Sequence, residues 1–170
     1  MSIAICPGSF DPITLGHLNI IRRTSKIFDQ VIVVIMQNAM KPDPMFTMEE
    51  KLEMVRTATQ RYPNVTVDSS RGLLAEYARR YPGAVVVKGL RAASDFEYEF
   101  QMDLINKQIA PEMETMFLTA SGKYTFLSSS MVREMAMYGA DLHGLVPTEL
   151  IGQIEAKAEQ WRRLKWKTTT

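Results

Sequence analysis

The chain has 170 residues, 46% of them hydrophobic, enough apolar content to bury one sizeable core and too much for a disordered polypeptide. Twenty basic residues against nineteen acidic ones leave a net charge of +1, which argues against a nucleic-acid or membrane surface as the main partner, so any anion site has to be local. The single cysteine, Cys6, excludes an internal disulfide or a cysteine-based metal cluster; with no export signal in MSIAICPGSF and no apolar stretch near the ~18 residues of a membrane span, the expectation is a soluble cytoplasmic protein.

Five short apolar runs read as strands: IAIC at 3–6, VIVVIM at 31–36, VTV at 65–67, AVVV at 84–87 and TMFLTA at 115–120. Between the first two, Leu18, Ile21 and Phe28 share a helical face. The next helix begins at TMEE, where Thr47 caps and Glu50 reaches back, and its face carries Met48, Leu52, Val55 and Ala58 or Thr59. Leu74, Tyr77, Ala78 and Tyr81 mark a third helix, and Phe96, Phe100 and Leu104 a fourth. Beyond the fifth run the pattern is helical, through SSSMVREMAMYG and VPTELIGQIEAKAEQWRRLKW, with a helical extension over about 146–170. The basic end, RRLKWKTTT, reads as a solvated helix terminus. This alternation predicts an α/β fold in a single domain over 1–170: a doubly wound, five-stranded parallel sheet with a helical C-terminus.

In such a sheet a ligand sits beyond the strand C-termini where the strand order reverses. With the order 3-2-1-4-5, the flanking segments are PGSFDPITLGH after the first strand and KGLRAASDFEYE after the fourth. The usual signatures are missing there: no G-x-G-x-x-G follows the first strand, GKY at 122–124 is not a Walker sequence, and no G-x-S-x-G elbow occurs. TLGH, 14–17, instead places Thr14 and His17 on one face of a helix N-terminus, where backbone N–H groups and the positive end of the dipole favour an anion. Gly16 is expected to keep that first turn uncrowded. His17 by itself fits packing or capping as well as it fits chemistry.

Taken together, GSFDPITLGH and LSSSMVRE resemble the paired signatures of the nucleotidyltransferase superfamily that carries T/H-x-G-H and serine-rich motifs. KGLRAASDFEYEFQM narrows the resemblance to the bacterial phosphopantetheine adenylyltransferases, over about residues 3–155. That family implies a Rossmann-like nucleotidyltransferase fold, and reversible transfer of AMP from ATP to 4′-phosphopantetheine with Mg²⁺ accompanying the nucleotide. It also implies homohexamers, for which apolar residues on the last helices would suit an interface, and feedback inhibition by coenzyme A. No protein side chain is expected to ligate the metal.

Carried onto this chain, the resemblance makes His17, Lys41 and Arg91 the catalytic residues. Ser9 and Phe10 would meet both substrates near the reacting phosphates, and His17 would bind the triphosphate. Gly89, Leu90, Arg91 and Glu99 would serve ATP, with Tyr124, Thr125, Phe126, Leu127, Ser128, Ser129 and Ser130 wrapping it. Lys41 and Lys88 would hold the acceptor phosphate, and Leu74 would line the pantetheine channel. Taken without the resemblance, Lys41 reads as a solvated loop charge, Leu74 as core, and the triple serine as an N-cap. Two positions depart from the family pattern. Lys88 stands where arginine is common and loses its two-pronged geometry, and Ser9 stands where threonine is frequent. The competing readings are a related transferase acting on nicotinate mononucleotide or glycerol phosphate, and a nucleotide-binding domain without turnover; a dinucleotide oxidoreductase lacks its glycine fingerprint.

Overall fold

All five apolar runs become strands in the computed structural model, which describes residues 1–37 and 43–167. They are β1 (Ile3–Gly8), β2 (Gln30–Met36), β3 (Val65–Ser70), β4 (Val85–Leu90) and β5 (Glu114–Thr119), all parallel and in the order β3-β2-β1-β4-β5. Cys6 lies opposite Val33 and Ala4 opposite Val85, so β1 and β4 are neighbours at the reversal point. Their apolar runs are continuous because both faces are covered. Ala4, Cys6, Val31, Val33, Ile35 and Val87 point into one core, while Ile5, Ile32, Val34 and Val86 point into a second on the other side.

The first core is closed by α1 (Leu15–Thr24), α2 (Met48–Thr59), α5 (Ser129–Met137) and α6 (Ile151–Lys167). The second is closed by α3 (Leu74–Ala78) and the C-terminal end of α4 (Ala93–Ile109). Short 3₁₀ turns at Gly122–Tyr124 and Thr148–Leu150 precede α5 and α6. The α2 start is the expected capping box: Thr47 Oγ1 accepts from the Glu50 N–H at 3.2 Å, and Glu50 Oε2 accepts from the Thr47 N–H at 2.7 Å.

Three periodicity readings are corrected. Phe28 lies past the α1 C-cap at Ser25 and Tyr81 past the end of α3; both still pack against a core, but from loops. On α4 the predicted stripe of Phe96, Phe100 and Leu104 is 44–50% exposed, while Asn106 is the buried residue of that helix. Of the exposed apolar residues expected on the last helices, Tyr138 at the end of α5 and Leu164 on α6 are present, while α6 turns Ile151, Ile154 and Ala158 into the core; a further group lies on α4 and β5, where Tyr98, Ile105 and Met116 join the stripe.

Candidate active site

The β1–α1 loop is shaped by one aromatic ring. Phe10 takes φ 43°, a left-handed backbone that bulky residues rarely adopt, and its ring is buried 5.2 Å from the His17 ring in an edge-on contact. The ring folds back over Gly8, where a Cβ would come within 2.8 Å of it. With that ring buried, the part of Phe10 left to meet a ligand is its backbone. Ser9, beside it, is half-buried.

His17 is part of the helix's own termination. Thr14 is the N-cap of α1: its Oγ1 accepts from the His17 N–H at 3.3 Å, and His17 Nδ1 accepts from the Thr14 N–H at 3.0 Å. This is a capping box with histidine in the place usually held by glutamate. Because Nδ1 accepts, the neutral ring carries its proton on Nε2, so the ring nitrogen that faces away from the cap is a donor. No acidic residue occupies the first turn of α1 or of α5, so neither helix N-terminus is compensated from within its own sequence. A Cβ on Gly16 would lie 3.4–3.9 Å from Thr14, Tyr124 and Leu127, ordinary contact distances, so the protein by itself leaves room for a side chain there.

The serine-rich segment joins the same place. Ser128 caps α5 by accepting from the Met131 N–H at 3.2 Å, the structural role its position suggested. Ser129 Oγ donates to the Pro12 carbonyl at 2.8 Å and thereby ties the α5 N-terminus to the β1–α1 loop, while Ser130 Oγ accepts from Arg133 at 3.2 Å. Leu127 is buried, Phe126 is 57% exposed, and Thr125 Oγ1 donates back to the Gly122 carbonyl. Arg91, just after β4, reaches this segment too: its guanidinium donates to Asp95 at 3.0 and 3.1 Å and to the Leu127 carbonyl at 3.1 Å. The Arg91 hydrogen bonds hold the Asp95 carboxyl below the usual aspartate range, against the opposite pull of burial.

The other expected residues are placed as follows. Lys88 Nζ meets Glu99 Oε2 at 2.5 Å, so the expected acceptor-phosphate cation and the expected ATP contact are paired with each other, and Glu97 stays exposed. Gly89 lets α1 approach β4, since a Cβ there would fall 2.8 Å from Ile20 Cγ1. The Leu90 carbonyl accepts from the Ala120 N–H, linking the ends of β4 and β5. Leu74 opens α3 and packs against the second core, on the far side of the sheet from α1 and α5. Lys41 lies outside the described residues.

Sequence reasoning missed the residue that binds these loops together. Asp11 is 5% exposed; its carboxylate accepts from the N–H groups of Met45 at 3.1 Å and Phe46 at 3.0 Å, and it pairs with Arg133 at 3.2 Å and Lys51 at 3.7 Å. Arg133 also donates to the Asp11 carbonyl at 2.5 Å. One carboxylate therefore fixes the loop leading to His17, the segment after residue 42, and α5. Asp11, Asp95 and Glu99 are each matched to a cation: Asp11 to Arg133 and Lys51, Asp95 to Arg91, and Glu99 to Lys88. Among the described residues no group of three His, Cys, Asp or Glu side chains could hold a metal.

The chain matches the cytidylyltransferase-like family over residues 5–135. It is 52% identical, over 86% of its own length and 90% of the relative's, to a phosphopantetheine adenylyltransferase of Desulforudis audaxviator. Against the phosphopantetheine adenylyltransferase of Alkaliphilus metalliredigens the identity is 49%, covering 92% of this chain and 99% of the relative. Among solved structures, a Vibrio parahaemolyticus protein described as a nicotinate-nucleotide adenylyltransferase superposes with a TM-score of 0.64 over 92% of this chain and 96% of its own. At 18% identity that likeness speaks for the fold alone.

Proposed function

The chain belongs to the phosphopantetheine adenylyltransferase family, and on that premise we propose that it transfers the adenylyl group of ATP reversibly to 4′-phosphopantetheine, giving dephospho-coenzyme A and pyrophosphate. The observation that carries this reading is the junction of two uncompensated helix N-termini, α1 and α5, joined by the Ser129–Pro12 hydrogen bond, with His17 Nε2–H as a donor at the first and Arg91 tied to the segment before the second.

The acceptor's phosphate oxygen is anionic at neutral pH, so its attack on the α-phosphorus requires no base. That agrees with the pairing of Asp11, Asp95 and Glu99 to cations. The chain's own part is to hold two anionic substrates in line, worth up to ~7–11 kcal/mol, and to aim donors at the charge that develops, worth ~3–4 kcal/mol each. His17 supplies one such donor from Nε2. In the first turn of α1 the Leu15 and His17 N–H groups already donate to the Leu145 carbonyl and to Thr14 Oγ1, so the Gly16 N–H is the backbone donor proposed there, and at α5 it is the N–H groups of Ser129 and Ser130, ahead of the capped Met131. Arg91 serves the ATP phosphates with the guanidinium hydrogens that Asp95 and Leu127 leave over. Lys88 serves the acceptor phosphate, which has to share or displace Glu99. Lysine at this position makes a single-point contact, so acceptor binding is weaker than with the arginine the family pattern favours. Mg²⁺ comes with the ATP phosphates and neutralises part of their charge.

The assembly we propose is a homohexamer, supported by the exposed apolar stripe of Phe96, Tyr98, Phe100, Leu104 and Ile105 on α4. Coenzyme A, which shares the product's scaffold, is the proposed feedback inhibitor. The proposed setting is the cytoplasm; no helix among the described residues is long and apolar enough to cross a membrane. The test of the reading is pyrophosphate release from ATP with 4′-phosphopantetheine and, in parallel, with nicotinate mononucleotide. Turnover with the first alone is expected. Turnover with the second alone would overturn the assignment, and nucleotide binding with no turnover on either would leave a binding domain.

A further inference from the structure

A cavity of about 360 Å³ runs along the face of α1 formed by Leu15, Leu18, Asn19 and Arg22, a stripe that starts beside the cap at Thr14 and leads away from it along the helix. Arg61, from the turn after α2, and Lys123, from the 3₁₀ turn after β5, converge on it with Arg22. Three cations from sequence positions far apart therefore line one small volume, and no carboxylate lines it with them. Among the described residues none of the three is ion-paired. At the catalytic crevice the opposite holds, since Lys88, Arg91 and Arg133 each already have a carboxylate. In a chain whose net charge is only +1, an uncompensated cluster of three is a local excess that concentrates positive potential in a partly enclosed space.

The cluster is also held in place. Arg61 stacks over the Tyr62 ring at 5.5 Å and Lys123 over the Tyr124 ring at 4.7 Å, contacts that restrain both side chains without neutralising them. Ser121 Oγ donates to Asn19 Oδ1 at 2.9 Å and fixes the wall between α1 and the 3₁₀ turn. The volume suits a small molecule, and two guanidinium groups with an ammonium match the geometry and charge of phosphate.

We propose that this cavity is a second anion site, taking a diphosphate group either free or carried on a nucleoside. Tyr124 belongs both to its wall and to the segment that wraps the nucleotide at the crevice, so an occupant sits against that segment. The proposal does not depend on the catalytic reading, because the cations involved play no part in it.

Calorimetric titration of the full chain with ADP and, separately, with inorganic pyrophosphate tests the site. Two equivalents per chain are expected for the wild type, and one for the Arg22→Ser/Arg61→Ser double variant, with adenylyl transfer at saturating substrates unchanged. Both arginines are exposed and unpaired, so the variant folds as the wild type does. A second equivalent with both probes marks the diphosphate as what is recognised; one with ADP alone adds the nucleoside. The loss of one equivalent supports the proposal whether the wild type takes one or two; a stoichiometry that the double substitution leaves unchanged with both probes overturns it in either case. So does a variant that changes the sedimentation coefficient in place of the stoichiometry, which would put these cations in a contact between copies. Absence of adenylyl transfer would count against the catalytic reading and leave the stoichiometry readable.

Discussion

Replacing Asp11 by asparagine tests how far one carboxylate supports the site. The substitution preserves shape and one acceptor oxygen, so the Phe46 N–H, now at 3.0 Å, keeps a partner. The other oxygen becomes an amide nitrogen facing the Met45 N–H and the Arg133 guanidinium, which face Oδ2 at 3.1 and 3.2 Å. Lys51, whose side chain is 8% exposed, loses the one carboxylate within ion-pair distance of it among the described residues. Breaking a buried pair from one side costs about 3–5 kcal/mol, most of it from the cation left behind. We expect a loss of about 3 kcal/mol, seen as a fall of about 6–12 °C in Tm for a chain of this size. Urea unfolding followed by circular dichroism at fixed protein concentration measures it. The decisive arm is the double variant Asp11→Asn/Lys51→Met, which removes the stranded ammonium. It should be no less stable than Asp11→Asn alone, a coupling of at least about 1 kcal/mol. Additivity of the two single substitutions to within about 0.5 kcal/mol would refute the reasoning, as would a loss below about 1 kcal/mol for Asp11→Asn.

His17→Ala should lower kcat for adenylyl transfer at least ~100-fold, the loss of one donor to the transition state; a variant within about tenfold of wild type in steady-state assays would remove His17 from that role. Gly89→Ala places a Cβ 2.8 Å from Ile20 Cγ1 and should cost about 1–3 kcal/mol in urea unfolding, partly recovered by adding Ile20→Ala. Burial pushes the Cys6 thiol up to about 12, so iodoacetamide at pH 8 should leave the folded chain unlabelled and modify one residue in urea; labelling of the folded chain at the rate of a free thiol would contradict its burial. Because Arg91 lowers the folded-state pKa of Asp95, the unfolded chain takes up that proton first as pH falls. The clamp therefore adds stability above the ordinary aspartate range, and that increment fades as pH drops through the lowered value; thermal melts of Asp95→Asn should lack this acid dependence.

The sheet was legible because its strands are apolar throughout and the segments between them repeat at helical spacing, and the crevice was legible because its loops carry glycine, hydroxyl and cation in unusual density. What escaped was non-local or ambiguous. Asp11 stands before a proline and reads as turn chemistry; nothing local to it announces Lys51 or Arg133, 40 and 122 positions on. At α1 the sequence offers capping as one reading of His17 but not the reciprocal box, because histidine does the work usually looked for in glutamate or glutamine. The stripe on α4 has the period of a core face, yet periodicity reports that side chains are apolar and not which surface covers them.

The box at the start of α1 has a consequence for when His17, the group proposed to act in catalysis, acquires its form. The N–H of Thr14 that selects the tautomer of His17 is one of those a helix must satisfy at its beginning whatever the protein does. Winding the first turn and arming the imidazole are therefore one event, complete before any substrate arrives. Fraying of that turn would release the ring into two tautomers, only one of which points its proton away from the cap. The stability of a single helical turn and the turnover of the enzyme should then rise and fall together under any substitution at Thr14.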